Sequence, residues 1–347
     1  MTQAYISAAD STAVLPARAL NVLVMMPALN EQATVADVIA RMPRDLDQAG
    51  RVDVLVIDDG STDRTAELAR EAGARVVSHG RRRGVGAAFQ TALSYALEND
   101  YDIIITIDAD GQFAPETIPA LADPVIRGQA DFATASRFAD PALVPDMPRV
   151  KRWGNRQMSR LISHLTGQHF ADVSCGMRCY NRRAALSLNV IGAFTYTQEV
   201  FLNLAFKGLR MVEVPIAVRG VREHGKSRVA SSILRYAFKT SWIIFRCYRD
   251  YFPLRFFGRL AACFMIPGVL LELWLLAHYL MTGRFTGHQW AGFTGAGLFF
   301  VGLVLLLMGI LGDMLDRHRI YLEEMLYHFR SARGRDRREA DDRVDDE

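Results

Sequence analysis

The chain has 347 residues, of which half are hydrophobic, and its formal net charge is +3. This length suits about two domains with a sizeable core, and so small a net charge gives no case for a nucleic-acid partner. The four cysteines predict reduced thiols, because only Cys175 and Cys179 lie close together and a zinc site would need His169 and others to join them. The first twenty residues are mixed and include Asp10, which argues against a signal peptide.

After a predicted flexible N-terminal tail at residues 1–19, strands and helices alternate along the chain. Strands are expected at residues 21–26, 53–57, 75–77, 103–107 and 131–135. Helices are expected at about residues 33–42, 64–72, 84–98 and 116–127. This alternation predicts an α/β, Rossmann-like domain with a mostly parallel sheet covered by helices.

Four short polar segments follow predicted strands or enter a helix. They are Pro27-Ala-Leu-Asn-Glu31, Asp58-Asp-Gly-Ser-Thr-Asp-Arg-Thr65, Arg81-Arg-Arg-Gly-Val-Gly-Ala-Ala88 and Asp108-Ala-Asp-Gly-Gln112. Each alone is a weak signal, since Asp-Asp-Gly-Ser is an ordinary turn and cap sequence and Gly84-x-Gly86 lacks the spacing of a dinucleotide fingerprint. Together they share the sheet edge at which open α/β sheets bind ligands.

The carboxylate pair Asp108 and Asp110 is the most informative of these features. The β-branched run at residues 103–107 predicts a buried strand that ends at this pair, just before Gly111 allows the chain to turn. Two hard oxygen donors at a ligand-binding edge suggest a divalent cation that holds a phosphorylated substrate. Asp also favours turns for local reasons, so an Asp-rich turn explains this segment equally well when it is taken alone.

The pattern changes beyond about residue 149. A predicted helix carries five clustered basic residues, Arg149, Lys151, Arg152, Arg156 and Arg160, and an edge strand is expected at residues 211–218. Residues 229–255 combine cations with aromatic residues at helical spacing. This combination predicts a juxtamembrane amphipathic helix in a membrane interface; a surface helix packed on the globular domain is the alternative.

Two apolar spans follow within residues 256–313. Residues 290–312 carry no charge and exceed the roughly 20 residues needed to cross a bilayer. The other span, about residues 260–281, contains Glu272 and His278, and a charge in a span usually faces another helix or water. The short connection makes the two spans a hairpin.

The distribution of cations predicts the orientation of this hairpin. Basic residues flank both outer ends, whereas the connecting loop holds only Arg284. The positive-inside bias therefore predicts a protein integral to the inner (cytoplasmic) membrane, with the soluble domain and the C-terminus in the cytoplasm. The tail at residues 314–347 is expected to be cytoplasmic and largely disordered.

Taken together, the segments resemble those of family-2 glycosyltransferases with the GT-A fold. Six later segments narrow the resemblance: Ser136-Arg137-Phe138, Arg152-Trp-Gly-Asn155, Asp172-Val-Ser-Cys-Gly-Met-Arg178, Gln198-Glu199, Glu213-Val-Pro-Ile216 and Arg222-Glu-His-Gly-Lys-Ser-Arg228. This set is similar to polyprenyl-phosphate glycosyltransferases, the group that includes dolichol-phosphate mannose synthases and bacterial undecaprenyl-phosphate glucosyltransferases. The resemblance covers about residues 20–312 and implies a GT-A domain at residues 20–228.

The resemblance implies a metal-dependent, inverting transfer of one sugar from a UDP- or GDP-linked donor to undecaprenyl or dolichyl phosphate. Donor binding is expected from Pro27, Leu29, Asn30, Glu31, Asp58, Asp59, Arg83, Gly84, Asp108, Ala109, Arg222 and Arg228. Mg²⁺ or Mn²⁺ is expected to bind Asp108, Asp110 and Gln112 together with the donor's pyrophosphate. For Asp59 a role in stabilising the loop stays open, and so does attraction to anionic lipid for Arg222 and Arg228.

On the acceptor side, the resemblance and the basic cluster point to Arg137, Arg152 and Arg156 as ligands of the acceptor phosphate. A lipid monophosphate is an anionic nucleophile, so it needs positioning and charge neutralisation more than a general base. The catalytic set is Asp110, Arg137 and Glu199, although a structural role for Glu199 near Arg178 is an equal alternative. The expected partners are a nucleotide sugar, a polyprenyl phosphate and the membrane, and the presence of a homo-oligomer is left open.

Three other protein classes are weighed against this interpretation. A processive polysaccharide synthase shares the sheet and the carboxylates, but Arg149 stands where its Gln-x-x-Arg-Trp motif requires Gln, and two spans give little material for a polymer channel. A non-catalytic nucleotide-binding membrane anchor is disfavoured because Asp108 and Asp110 are both present. An oxidoreductase is disfavoured because no Gly-x-Gly-x-x-Gly follows the first strand.

Overall fold

The computed structural model describes residues 19–47, 49–190, 196–219 and 233–345. Its internal contacts divide the chain into two compact units, Met1–Ile243 with Leu326–Glu347 and Ile244–Met325. The first unit contains the α/β domain, and the second contains the apolar hairpin.

An eight-stranded sheet forms the centre of the first unit. Its strands are β1 (Val22–Ala28), β2 (Asp45–Leu46), β3 (Gly50–Asp58), β4 (Arg75–Ser78), β5 (Ile103–Thr106), β6 (Phe132–Ser136), β7 (Arg178–Asn181) and β8 (Met211–Pro215). The order is β2-β3-β1-β5-β7-β6-β8, with β4 paired to β3. Strand β1 is parallel to β3 and β5, β3 to β4, and β6 to β8, so the predicted mostly parallel sheet is confirmed.

The central strands formed where the sequence predicted them because they are continuous apolar runs. All of β1 is buried except the half-buried Pro27, and all four residues of β5 are buried. Parallel strands covered by helices on both faces need apolar side chains on both faces, which produces such runs.

Strand β7 was not predicted. It lies antiparallel between β5 and β6, and its four residues begin with an arginine and end with an asparagine, which resembles a loop in the sequence. Arg178 is nevertheless fully buried. Its guanidinium carbon lies 4.9 Å from the ring centre of Phe201 and 5.6 Å from that of Tyr196, so aromatic faces take the place of water around this cation.

Ten α-helices complete the described part of the chain. They are α1 (Val35–Ala40), α2 (Thr65–Glu71), α3 (Val85–Glu98), α4 (Ile118–Ile126), α5 (Arg149–Thr166), α6 (Arg182–Ser187), α7 (Thr197–Phe206), α8 (Ile233–Tyr251), α9 (Pro253–Thr282) and α10 (Gln289–Asp345). The four helices predicted within the α/β alternation are present as α1 to α4, and the basic cluster lies on α5. The four cysteines are free, and three of them are buried.

In the second unit, α9 and the first part of α10 are long and apolar enough to cross a membrane. Only 17% of the most apolar window of α9 and 11% of that of α10 is buried, so neither resembles a core helix of a soluble protein. Within the segment 229–255, for which an interfacial helix was predicted, α8 runs from Ile233 to Tyr251 and Pro253 occupies the first turn of α9. Residues 229–232 lie outside the described part of the chain.

Glycines on α10 bring the two helices of the hairpin into backbone contact. A Cβ added at Gly302 would lie 2.9 Å from the carbonyl oxygen of Ala261, and one at Gly295 would lie 2.8 Å from Oε1 of Glu272. Small residues allow this close approach in membrane helices. The carboxylate of Glu272 therefore faces the partner helix, as expected for a charge within a span.

The prediction of a largely disordered tail after residue 313 is wrong, because α10 continues as a helix to Asp345. Arg319 pairs with Asp316 at 2.7 Å and with Glu323 at 2.8 Å, and such pairs three and four residues apart support a helix. Further along, Nη1 of Arg330 donates to the carbonyl oxygen of Leu188 at 2.9 Å. Within the first unit, this bond fastens the end of α10 to the α/β domain.

Candidate active site

The ends of β1 and β3 form the first part of the candidate site. The two strands are paired so that Ala28 lies opposite Asp58, which brings the segments after them together. The backbone amide of Asn30 donates to Ser61 Oγ at 2.9 Å, and the side-chain oxygen of Asn30 accepts from the amide of Thr62 at 2.7 Å. The structure thus joins two of the predicted donor-binding segments; Pro27, Leu29 and Glu31 are all half-buried beside this junction.

Asp58 ends β3 as a buried carboxylate. One oxygen accepts from the amide of Ser61 at 2.9 Å, and the other accepts from Ser78 Oγ at 2.7 Å. Burial acts to raise the pKa of Asp58, but these hydrogen bonds outweigh burial and hold its pKa below the usual value. Asp58 is therefore a fixed anion at neutral pH, suited to accept from donor N–H or hydroxyl groups.

The next residue, Asp59, is directed at the arginine-rich loop. Its two oxygens accept from the backbone amides of Arg83 and Gly84, each at 2.8 Å, and Oδ1 also lies 2.9 Å from His79 Nδ1. The other nitrogen of His79 lies 3.0 Å from Thr91 Oγ1. The predicted donor residues Asp59, Arg83 and Gly84 are thus brought together, with Asp59 stabilising the loop.

Gly60 completes the junction between these loops. Its φ is +81°, and a Cβ added there would lie 2.6 Å from the carbonyl carbon of Arg81. Only glycine accepts both this backbone conformation and this approach. The loop after β3 and the loop of residues 81–84 therefore form one interlocked surface.

The predicted metal ligands follow β5 at the same edge. Asp110 is buried and accepts from the amide of Gln112 at 3.0 Å. The carbonyl oxygen of Ala109 accepts from Thr34 Oγ1 at 2.7 Å, which ties this loop to the start of α1. Gln112 donates from Nε2 to the carbonyl oxygen of Arg219 at 3.0 Å, so its Oε1 is the amide atom that can coordinate a cation.

The donor atoms at this loop fit Mg²⁺ or Mn²⁺. Both ions prefer oxygen ligands, and Mg²⁺ in particular is often held by one or two carboxylates together with substrate phosphates. Across the described residues there is no group of three or more His, Cys, Asp or Glu side chains arranged to hold a metal alone. A cation at Asp108, Asp110 and Gln112 would thus need further oxygens, which a diphosphate supplies.

The absence of a side chain at Gly176 leaves space for the carboxylate of Asp108. A Cβ added at Gly176 would lie 2.9 Å from Oδ2 of Asp108, and the carbonyl oxygen of Gly176 accepts from Thr106 Oγ1 at 2.7 Å. Any side chain at this position would press on the predicted metal ligand. The Asp172–Arg178 motif therefore reaches the carboxylate pair through its glycine.

Arg137 follows β6 at the same edge of the sheet. Because β7 is antiparallel to both β5 and β6, the carboxyl ends of β5 and β6 coincide. Arg137 forms a two-pronged ion pair with the fully buried Asp172, at 2.6 Å from Nε and 2.9 Å from Nη2, and it also donates to Ser174 Oγ at 2.8 Å. Burial acts to raise the pKa of Asp172, but the charge and hydrogen bonds of Arg137 lower it below the usual value.

Two further residues, Asn155 and Glu213, hold this ion pair in place. Ser174 Oγ forms a short hydrogen bond with Asn155 Oδ1 on α5. The carboxylate of Glu213 on β8 accepts from the amide of Asp172 at 2.8 Å. Arg137 is thereby fixed between β8 and α5, with its side chain 20% exposed.

The other predicted acceptor residues, Arg152 and Arg156, are exposed on α5. Glu199 is buried on α7, two residues before Phe201, whose ring packs against Arg178. Arg222 and Arg228 lie outside the described residues. The described stretch before them ends at Arg219, whose amide donates to the carbonyl oxygen of Gln112 at 3.0 Å.

Several residues of this edge received no role from the sequence. Asp172, Ser174 and Asn155 lie in motifs that carried the family resemblance, and this was the signal that marked them. Thr34 and Ser78 lie outside the quoted motifs and act through hydrogen bonds to residues distant in sequence, for which the sequence offered no signal. Ser61 lies within the motif after β3.

Comparisons with known proteins identify the class. The profile of the family "Glycosyl transferase family 2" matches residues 23–188. Dolichyl-phosphate hexose transferase of Haloferax volcanii is 33% identical over 196 residues, covering 56% of this chain and 82% of that protein. Undecaprenyl-phosphate 4-deoxy-4-formamido-L-arabinose transferase of Aeromonas hydrophila is 28% identical over 320 residues, covering 85% of this chain and 88% of that protein. The chain belongs to glycosyltransferase family 2, and it is an enzyme that transfers sugars.

A solved structure supports the fold assignment. Glucosyl-3-phosphoglycerate synthase from Mycobacterium tuberculosis, in complex with Mn²⁺, UDP-glucose and phosphoglyceric acid, superposes with a TM-score of 0.53 at 24% identity. The match covers 66% of this chain and 80% of that one. The predicted GT-A fold is confirmed.

Proposed function

We propose that this glycosyltransferase moves a single sugar from a UDP- or GDP-linked donor to a polyprenyl phosphate, with a divalent cation and with inversion at the anomeric carbon. One observation carries the proposal. Asp108 and Asp110 follow β5, and Arg137 follows β6, at one edge of the sheet. Oxygen donors for a cation and its diphosphate thus lie on the same edge as a fixed guanidinium suited to a second phosphate.

The relatives support this choice of substrates. By their names, the two relatives described above act on dolichyl phosphate and on undecaprenyl phosphate. The solved glucosyltransferase binds Mn²⁺ and UDP-glucose. The two apolar helices of this chain suit an acceptor whose tail stays in a bilayer.

The proposed reaction is a direct displacement. An oxygen of the acceptor phosphate forms a bond to the anomeric carbon while the bond from that carbon to the diphosphate oxygen breaks, and the electron pair leaves with the nucleoside diphosphate. A phosphate monoester loses its second proton with a pKa of about 6, so the nucleophile is already ionised near neutral pH. No general base is then required, and positioning with charge neutralisation supplies the catalysis.

Each set of residues has a role in this reaction. A bound cation would neutralise charge on the departing diphosphate and would be held by Asp108, Asp110 and Gln112. The donor nucleoside would lie along residues 27–31 and Asp58. Arg137 would orient the acceptor phosphate with help from Arg152 and Arg156. The donor phosphates would be contacted by Arg222 and Arg228. Glu199 would orient the sugar or the acceptor.

We further propose that the reaction occurs at the cytoplasmic face of the membrane. Cations flank the outer ends of the hairpin, whereas its connecting loop holds only Arg284. This asymmetry favours a cytoplasmic catalytic domain.

A product assay tests the proposal. Purified protein in nanodiscs with undecaprenyl phosphate is supplied with a panel of UDP- and GDP-sugars, with Mn²⁺ or with EDTA, and both free nucleoside diphosphate and lipid products are measured by mass spectrometry. The expected result is one donor that yields a lipid carrying one sugar only when the cation is present. A lipid carrying a polymer would favour a processive synthase, and nucleoside diphosphate release that does not depend on the lipid would contradict the proposed acceptor.

A further inference from the structure

The first residue of β7, Arg178, is a fully buried arginine beside the candidate active site. In the sheet it lies opposite Thr106 of β5 on one side and Thr134 of β6 on the other. Strand β5 leads to the predicted metal ligands, and β6 leads to Arg137. This buried cation therefore lies between the two strands that carry the proposed cation site and the proposed acceptor site.

The guanidinium of Arg178 bonds to backbone carbonyls of the loop that precedes it. Nε donates to the carbonyl oxygen of Cys175 at 2.9 Å, and Nη2 donates to that of Val173 at 3.4 Å. Nη1 has no hydrogen-bond partner in the described part of the chain. The ring centres of Phe132 and Phe201 lie 5.9 Å and 4.9 Å from the guanidinium carbon. A buried charge is costly because it loses its water, and here the cation gains contacts with this loop and with aromatic rings.

The loop held in this way contacts both proposed sites. Asp172 and Ser174 accept hydrogen bonds from Arg137 at 2.6 Å and 2.8 Å. Gly176 is so close to Asp108 that an added Cβ would lie 2.9 Å from Oδ2 of that carboxylate. The two residues that alternate with these three loop residues are the ones whose carbonyl oxygens accept from the buried guanidinium.

A role in packing alone does not account for an arginine at this position. Replacement of a buried charged group by an apolar side chain of similar volume is often neutral or stabilising, so a methionine would fill the same space. A lysine would keep the charge, but it lacks the flat fork that donates to two carbonyls and packs against aromatic rings. The two hydrogen bonds to the loop are therefore what an arginine adds here.

We propose that Arg178 is a positioning residue that acts on the acceptor site and on the cation site through one loop. By holding the loop it keeps Asp172 in place, and Asp172 in turn orients Arg137 toward the acceptor phosphate. The same hold keeps the backbone of Gly176 where it leaves space for Asp108 at the cation. The acceptor half of this inference rests on the proposed function, whereas the cation half can be measured without any acceptor.

The substitution Arg178→Met tests the proposal. Binding of Mn²⁺ in the presence of UDP or GDP, followed by electron paramagnetic resonance, should weaken about tenfold, and the KM for the acceptor should rise by a similar factor, as expected when a charged group loses a hydrogen bond. Thermal unfolding in detergent should show that the protein remains folded. Wild-type values of both quantities would overturn the proposal. A change in only one of them would show that Arg178 does not serve both sites.

Arg210→Met is the matched control. Arg210 pairs at 3.1 Å with the buried Asp131, which precedes β6 at the opposite end of that strand from Arg137. This variant removes an arginine from a buried partner without disturbing the loop, so it should lower the Tm while Mn²⁺ binding and the acceptor KM stay unchanged. Equal losses of Mn²⁺ binding and acceptor KM in Arg178→Met and Arg210→Met would trace both effects to lost stability and would overturn the proposal.

Arg178→Lys provides a second variant that decides the same question if Arg178→Met does not fold. It keeps the charge without the fork, so Mn²⁺ binding and the acceptor KM should again be impaired, and wild-type values would overturn the proposal. In the Asp172→Asn background, Arg178→Lys should raise the acceptor KM little further, because both changes act through the same contact. Its effect on Mn²⁺ binding should persist there. Fully additive effects on the acceptor KM would contradict the route through Asp172.

Failure of the proposed function and failure of this inference give different results. A wild type that transfers no sugar to a polyprenyl phosphate would refute the proposed function. The Mn²⁺ titration needs no acceptor, so it would still decide whether Arg178 positions the cation site.

Discussion

Arg137 and Asp172 form a two-pronged ion pair, 2.6 and 2.9 Å in length, in which the carboxylate is fully buried and the guanidinium reaches the surface. The pair gives Arg137 two tasks. It compensates a buried charge, and it presents the remaining part of a fixed cation at the sheet edge where the acceptor phosphate is proposed to bind. A variant that removes Arg137 alone therefore confuses folding with catalysis.

A double variant separates the two tasks. Arg137→Gln alone leaves Asp172 as an uncompensated buried charge and should destabilise the protein by about 3 kcal/mol or more. In Arg137→Gln/Asp172→Asn the buried charge is absent, so most of the stability should return while the KM for the acceptor stays raised. Thermal unfolding in detergent and steady-state kinetics measure the two effects. Recovery of the acceptor KM together with stability would limit Arg137 to a structural role.

The same pair predicts a dependence of stability on pH. Because the folded-state pKa of Asp172 is lowered, its contribution to stability is complete above the unfolded-state pKa of about 3.9 and is lost as the pH falls through the lower folded-state value. The wild type should thus lose more Tm between pH 5 and pH 3 than Asp172→Asn does. Asp123→Asn removes an exposed pair with Arg127 and serves as the control that should retain the wild-type slope. Parallel curves for wild type and Asp172→Asn would refute the argument.

The contact between Asp59 and His79 leads us to expect variants whose defect is confined to binding of the donor. Asp59 accepts from the amides of Arg83 and Gly84 and contacts His79, so Asp59→Asn should loosen the arginine-rich loop and raise the KM for the nucleotide sugar several-fold, since an unsatisfied buried group costs about 1–3 kcal/mol. His79→Phe should act in the same direction through Asp59. The KM for the acceptor should not change in either variant. A defect in Asp59→Asn that His79→Phe does not share would instead indicate direct contact of Asp59 with the donor.

The carboxylates after β5 predict loss of both turnover and cation binding. Removing the charge of Asp108 or Asp110 weakens the binding of a cation whose Lewis-acid role contributes several kcal/mol in such sites. Asp108→Asn and Asp110→Asn should therefore each lower kcat by about a hundredfold or more. Titration of Mn²⁺ in the presence of UDP, followed by electron paramagnetic resonance, should show weaker binding. Gln112→Ala should cause a smaller loss, because it removes a neutral ligand. Full activity of either Asp variant would exclude the proposed cation site.

The sequence predicted the elements that local pattern controls. Strands β1 and β5 are uninterrupted apolar runs, and the polar segments after β1, β3 and β5 do meet at one edge because parallel strands align their carboxyl ends. Strand β7 escaped prediction, since its burial comes from Phe132, Tyr196 and Phe201 gathering around Arg178, which are contacts between distant parts of the chain.

The site residues show the same division between what local pattern predicts and what depends on contacts between distant parts of the chain. Asp108 and Asp110 were predicted from their residue type and their place after a strand, and Arg137 was predicted from a motif that carried the family resemblance and from the basic cluster. The partners that hold them, such as Asp172 for Arg137 and Gly176 for Asp108, act through tertiary contacts that no local pattern encodes. The helical tail was mispredicted because its charged residues suggested disorder, whereas at its start Arg319 forms ion pairs with Asp316 and Glu323 that support a helix.

The hairpin offers a matched pair of glycines for the last prediction. A Cβ at Gly302 would lie 2.3 Å from Met265 Cγ and 2.9 Å from the backbone of Ala261 and Met265, whereas a Cβ at Gly297 would meet no heavy atom of the described residues within 4 Å apart from its chain neighbours and the nearby backbone of its own helix. Gly302→Leu should therefore force α9 and α10 apart and destabilise the protein by about 1–3 kcal/mol, the usual cost of overpacking, while Gly297→Leu should change stability little. Scanning fluorimetry in detergent and the fraction of protein that remains monodisperse after heating provide the measurement. If both variants behaved alike, close packing through Gly302 would not be what holds the two helices together.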